Sequence, residues 1–305
     1  DVTNPSINLF TPKNNANKSS GKIGFNFSTS DNFAQIMNCS LNIDGIKTVS
    51  EILVNNSNIV EYNYSIYQAG LHNWTVNCSD LAGNSILQNV NNFTVINGPD
   101  SLSINLTEDN SSMVLNWSSS LYANYYEIYI SNNYTAGFSL TPNITGIYDL
   151  NWTDYSAADS QKRYYKVAAV KGSAVALSQK TLGKQSLEIN PTWNLISVPF
   201  NISDWKLYDG TSGKDLFTYP GDCLSSIWYF NETNQSYLRS DYISGSWIPS
   251  IGSESFTSVE AGRGYWVEAT IDCNMTVFGE IPTNNKTIEL EQYWNIVGQY
   301  SGKNQ

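Results

Sequence analysis

The sequence predicts an all-β protein made of tandem β-sandwich domains, and three observations carry that expectation. Apolar side chains recur at every second position through residues 1–97 and in both copies of a repeat later in the 305-residue chain, the period of a half-buried strand. They do not recur at the 3.6-residue spacing of an amphipathic helix. Turn residues break the alternation at short intervals, as in Pro12-Lys13-Asn14-Asn15, Asp44-Gly45 and Ala82-Gly83-Asn84. The length corresponds to two or three domains, with boundaries read here at 97/98 and 185/186.

In residues 1–97, Ile23-Gly24-Phe25-Asn26-Phe27 puts its aromatics on one face and Asn26 on the other. Met37, Cys39, Leu41 and Ile43 form one inward face, and Trp74, Val76 and Cys78 form another. That placement sets Cys39 and Cys78 to bridge two sheets. The run GLHNWTVNCSDLAGN, with NCSLNIDG upstream, resembles the immunoglobulin-like modules of archaeal and bacterial surface proteins. His72 stands where that family often has Tyr, and it is read as a strand residue on the solvent face.

Residues 98–185 contain Pro99, Leu102, the Leu115-Asn116-Trp117 strand, Tyr126-Glu127-Ile128-Tyr129-Ile130, Trp152-Thr153-Asp154 and Arg163-Tyr164-Tyr165-Lys166-Val167. In order and spacing they resemble a fibronectin type III domain. The resemblance makes Trp117 the core Trp, and Tyr164 or Tyr165 the strand Tyr near the sandwich corner.

Residues 186–305 form the C-terminal β-domain. Its marks are Trp193-Asn194-Leu195-Ile196-Ser197, Ser226-Ile227-Trp228-Tyr229-Phe230, Gly262-Arg263-Gly264-Tyr265-Trp266 and Trp294-Asn295-Ile296-Val297-Gly298. They resemble a β-module of secreted archaeal and bacterial surface proteins that opens on a GWNLIS strand and contains a GxGYW strand. The resemblance implies scaffold work. The Gly that precedes Trp in that family is Thr192 in one copy and Tyr293 in the other.

The last stretch, TIELEQYWNIVGQY, repeats SLEINPTWNLISVP: Leu187 matches Ile288, Ile189 Leu290, Trp193 Trp294 and Leu195 Ile296. A strand that opens a unit recurs at the end of the chain. Ile288, Leu290, Trp294 and Ile296 are expected as its contact residues, either folding back onto the same domain or docking on a neighbouring copy.

Composition fixes the setting. A net charge of −11 with three Arg argues against nucleic-acid binding, which needs a basic face. No apolar run approaches the roughly 18 residues of a membrane span, and without a signal peptide Asp1 reads as a processed terminus. With 38 Asn, chance placement gives about seven or eight N-x-[ST] sequons. The sequence holds nineteen, at Asn17, Asn26, Asn38, Asn55, Asn63, Asn73, Asn77, Asn92, Asn105, Asn110, Asn116, Asn133, Asn143, Asn151, Asn201, Asn231, Asn234, Asn274 and Asn285. N-linked glycans and an extracellular, cell-surface location are the resulting expectations. Four cysteines agree, with Cys39–Cys78 and Cys223–Cys273 chosen among three connectivities.

The residues offer no catalytic set. His72 is isolated, there is no Gly-x-Ser-x-Gly elbow, and Glu254, Glu260 and Glu268 read as exposed. Asp209–Asp215 lacks Ca²⁺-loop spacing, and Arg263 reads as a surface residue on a tight turn. No enzyme, cofactor or metal is expected. The leading reading is a structural subunit of a glycosylated surface filament, a homopolymer joined head to tail with donor-strand exchange of the terminal strand as the candidate joint, and in this it resembles archaeal surface threads and pili. The alternative is an adhesin or binding ectodomain, which exposure of Trp205 and Trp247 would favour.

Overall fold

A computed structural model describes residues 2–107, 112–201, 223–244, 246–249, 259–283 and 289–298. Asn110, Asn285, Ile288, Trp205, Glu254 and the 209–215 stretch lie outside the described residues. Every named element is a β-strand, so the protein is all-β. No helix among the described residues is long and apolar enough to cross a membrane.

The chain divides into two compact units. Asp1–Pro99, Ser119–Glu127 and Val167–Ser178 form the first, and Asp100–Ser118, Ile128–Lys166 and Gln179–Gln305 the second. The first contains β1 (Ser6–Thr11), β2 (Ala16–Ser19), β3 (Gly21–Ser30), β4 (Ile36–Ile43), β5 (Ile46–Asn55), β6 (Ile59–Ile66), β7 (Gly70–Ser79), β8 (Ser85–Leu87) and β9 (Asn91–Ile96). One sheet orders as β1-β3-β6, the other as β2-β9-β7-β4-β5 with β8 on β7. Phe25, Phe27, Met37, Leu41, Trp74, Val76 and Phe93 fill the core. Phe25 meets both Trp74 and Phe93 edge-on, the geometry the ring quadrupoles favour.

Cys39 and Cys78 are disulfide-bonded, but they do not bridge two sheets as the alternation implied. β4 and β7 are neighbours in one sheet, and the two cysteines face each other directly across the pair. Two inward-facing strands can lie side by side as readily as opposite each other, and residue parity does not distinguish the two arrangements.

The second unit begins with β10 (Ser103–Leu106) and β11 (Met113–Asn116). Next come β12 (Tyr125–Ser131), β13 (Ile144–Ile147), β14 (Asn151–Asp154), β15 (Lys162–Lys171), β16 (Ala174–Leu177) and β17 (Leu182–Ile189). β16 and half of β12 and β15 belong to the first unit. β10-β11-β14 is one sheet, and the order β13-β12-β15-β17 continues to a last strand, β23 (Cys273–Glu280). Trp117, Tyr164 and Tyr165 are buried. The Tyr165 hydroxyl donates to Asp154 at 2.8 Å, and Arg163 pairs with the same carboxylate at 2.8 Å.

β17 pairs with β23 along its whole length, Leu182 to Ile189. The boundary drawn at 185/186 therefore falls inside a strand that no Gly-Pro-Asn cluster interrupts.

The remaining strands are β18 (Thr192–Ser197), β19 (Leu224–Asn231), β20 (Ser236–Ile243), β21 (Ser246–Pro249) and β22 (Gly264–Ala269). They form a sheet in the order β18-β22-β19-β20-β21. Ile196, Val198, Ile227, Leu238, Trp247, Tyr265 and Val267 point into the core with Met275 and Val277 of β23. Cys223 and Cys273 are bonded.

Candidate functional site: an aromatic sheet face and the segment crossing it

The two WN motifs open on the same local structure. In the first, Asn194 Nδ2 donates to the Asn190 carbonyl at 2.8 Å, and its Oδ1 accepts the Asn190 N–H at 3.1 Å. In the second, Asn295 makes the same two bonds with Glu291, at 2.8 and 2.9 Å. An Asn side chain thereby closes a five-residue turn and satisfies its backbone. Each turn carries a left-handed residue just before Trp, Thr192 at φ 84° and Tyr293 at φ 86°. This is the conformation glycine favours, so the turn geometry survives both replacements.

After the first turn the chain enters β18, in a parity opposite to the expected one. Ile196 is buried, while Trp193 is 48% and Leu195 56% exposed. The turn at Asn190–Thr192 interrupts the strand and resets the alternation, so Leu187 and Ile189 do not share a face with Trp193 and Leu195.

Trp193 and Leu195 belong to the face of the five-stranded sheet opposite the core. The register sets Leu195, Trp266, Trp228 and Arg239 in one row across β18, β22, β19 and β20, and Trp193, Glu268, Ser226 and Asp241 in the next. The Trp228 ring lies 5.8 Å from Trp193 and 6.1 Å from Tyr237, edge-on to both. Its Nε1 donates to Ser226 Oγ at 2.9 Å, which donates to Glu268 Oε2 at 3.0 Å. The Arg239 guanidinium stacks 4.8 Å over Trp228 and is tied to Asp241 at 2.6 Å.

After the second turn, residues 289–298 cross one end of this face without forming a strand. Trp294 exchanges backbone bonds with the Gln235 side chain, at 3.1 and 3.2 Å. Val297 makes an isolated bridge to Arg263, and the Gly298 N–H donates to the Gly262 carbonyl at 3.0 Å. Ile296 packs where a Cβ on Gly264 would stand, which explains the second glycine of the GxGYW motif. Leu290, Tyr293, Trp294 and Val297 remain exposed, Trp294 at 79%. The expected strand over this stretch is thus absent among the described residues.

Arg263 is not a plain surface residue. It pairs with Glu260 at 3.0 Å and Glu232 at 3.1 Å, donates to the Tyr229 hydroxyl, and lies 4.9 Å over the Tyr229 ring. Burial and the hydrogen bond to Glu232 push the Tyr229 hydroxyl up to about 12.

His72 is buried, not solvent-facing: Nδ1 meets Asp44 at 2.7 Å, Nε2 meets the Gln68 carbonyl at 3.0 Å, and the ring stacks on Phe93. It shares the parity of Trp74, Val76 and Cys78, a signal present in the sequence. Glu268 is half-buried and Glu260 exposed. Trp247 is buried against Tyr242, contrary to the exposure the binding reading asked of it. Of the sequon asparagines that are described, twelve are exposed, and Asn17, Asn26, Asn73, Asn116 and Asn231 are half-buried.

A cavity in the second unit is lined by Met113, Ala157, Ser160, Lys184, Glu188 and Asn274 among others. Lys184 is buried, and its ammonium donates to the Ala157 and Ser160 carbonyls. Burial, with the Arg163 charge nearby, pushes it down to about 8. Two of its three donors are occupied by backbone carbonyls, and no nucleophile–base pair accompanies it among the described residues. No group of three or more His, Cys, Asp and Glu residues among those described is arranged to hold a metal ion.

No protein-family model matches the chain, and no curated protein matches it. Among solved structures, it is similar to fibronectin(III)-like modules of Clostridium thermocellum CbhA, with a TM-score of 0.30, 9% identity, and 57% of this chain and 90% of that one covered. The FN1–FN3 domains of chicken CNTN1 align with a TM-score of 0.32 and 11% identity, covering 59% of this chain and 64% of theirs. Carbohydrate-binding modules of the β-sandwich superfamily align with a TM-score of 0.24 and 10% identity, covering 92% of this chain and all of theirs.

Proposed function

We propose that the chain is a non-catalytic structural subunit of an extracellular, N-glycosylated cell-surface filament, its copies joined head to tail through residues 289–298. One observation supports this above others. The segment rebuilds the opening turn of β18, then among the described residues forms one β-bridge to its own domain, beside backbone bonds to Gln235 and Gly262 and the seat of Ile296 on Gly264, and leaves Leu290, Tyr293, Trp294 and Val297 in water. Such a segment gains main-chain bonds and apolar burial by adding to an open sheet edge on a neighbour. β18 is an edge strand of its sheet among the described residues and is a ready template. A contact of this kind is heterologous, and where its rotation does not close into a ring it propagates as a filament. The two disulfides fit an oxidising compartment. The exposure of twelve sequon asparagines supports glycans at those positions.

Negative-stain microscopy of native material tests the proposal. Filaments are expected, with a chain truncated before Glu291 remaining dispersed. Dispersed monomers in native material, or a truncated chain that polymerises as the full one does, would overturn it.

A further inference from the structure

We infer that the outward face of the five-stranded sheet is a binding site for a neutral polysaccharide. A sheet with one face on a core ordinarily turns polar side chains to water on the other. Here that face carries Trp193, Leu195, Trp228, Trp266 and Tyr237, and among the described residues the 289–298 segment crosses it at one end, at Gly264 and Gln235.

The rings are held in place. Trp228 is fixed through Ser226 to Glu268 on one side and under the Arg239–Asp241 pair on the other, with Trp193 and Tyr237 standing edge-on beside it. Rings fixed before binding lose little rotamer freedom on contact.

The polar groups select the ligand. Sugars present apolar C–H faces to aromatic rings and a rim of hydroxyls that both donate and accept, which Glu268, Asp241 and Arg239 can meet. A purely apolar partner would strip water from those charged groups and give no hydrogen bonds in return. An anionic polymer would meet two carboxylates against one guanidinium, on a chain of net charge −11. A neutral polyhydroxylated chain avoids both penalties.

The test is titration of the full chain with hydroxyethylcellulose, galactomannan and yeast mannan, monitored by tryptophan fluorescence. A saturable change is expected with at least one, weakened at least tenfold in both Trp193→Ala and Tyr237→Ala. The exposed Leu140 lies on another part of the second unit, and Leu140→Ala is expected to bind as the parent does. Alginate, an anionic polysaccharide, is expected to give no change. No response to any of the three neutral polymers, an equal response to alginate, or undiminished binding by Trp193→Ala and Tyr237→Ala with unchanged circular dichroism would overturn the inference. The inference does not rest on the filament reading, because copy-to-copy joining is read separately by sedimentation of the same samples without polysaccharide.

Discussion

Asn194 and Asn295 do the same job at two places in the second unit, each binding both the N–H and the carbonyl of the residue four positions earlier. The two turns lead to different structures. Asn194 leads into β18, paired along six residues with β22, whereas Asn295 leads, among the described residues, into one isolated bridge. Asn194→Ala removes two backbone hydrogen bonds and is expected to cost about 2 kcal/mol of stability. Asn295→Ala should leave global stability within about 0.5 kcal/mol while speeding amide exchange across 291–298. Urea unfolding and hydrogen exchange on the two variants check the contrast.

Thr192 sits at φ 84°, where a β-branched residue is strained by about 1–2 kcal/mol. Thr192→Gly relieves that strain and gives back part of it as unfolded-chain entropy. The expected result is a stabilisation of about 0.5–1 kcal/mol, seen as a higher urea midpoint with unchanged slope.

Gly264→Ala places a methyl where Ile296 packs. Limited proteolysis is expected to cut within 289–298 faster than in the parent, while the near-ultraviolet circular dichroism of the buried aromatics stays close to the parent's.

Asp154 is buried, but hydrogen bonds from Ser156 and Tyr165 and the Arg163 charge outweigh its desolvation and hold its carboxyl below the ordinary value. Its stabilisation is complete above the unfolded value of about 3.9 and is lost as pH falls through the lower folded value. Acid unfolding curves should therefore steepen below about pH 4 in the parent and less so in Asp154→Asn. That variant is expected to start about 3 kcal/mol less stable at pH 7, because Arg163 loses its buried partner.

Lys184 acts with the opposite sign. Its folded value, pushed down to about 8 by burial, lies below the unfolded value of about 10.4, so the unfolded chain binds the extra proton between them. Stability from this group rises with pH from about 8 upward. The buried hydroxyls of Tyr165 and Tyr265, raised by desolvation, lower it again above about 10. Melting curves between pH 7 and 11 should show a maximum near 10, and Lys184→Met should shrink the rising limb, leaving the part due to Lys166, which burial also lowers.

Much of the fold was legible from local chemistry. The alternation and the turn clusters specified an all-β chain. Strand parity pointed to Cys39–Cys78, leaving Cys223 and Cys273 for each other, while the expectation that Trp117 and Tyr164 or Tyr165 are core residues came from the fibronectin type III resemblance, and all three are buried. His72 was legible too, since its parity matches Trp74, but its type argued for water. Its hydrogen bonds to Asp44 and to the Gln68 carbonyl reverse that argument.

The sequence by itself determined which residues alternate and where turns interrupt them, because steric preference and side-chain polarity act over a few neighbours. Only the tertiary structure decided which faces meet. It placed Cys39 opposite Cys78 within one sheet, put Trp193 and Leu195 outside the core after the Asn190–Thr192 turn, and set Ile296 over Gly264. Period-two alternation separates one face of a strand from the other and carries no information about which of them finds a partner. That depends on strands distant in the chain, and here it leaves tryptophans facing water.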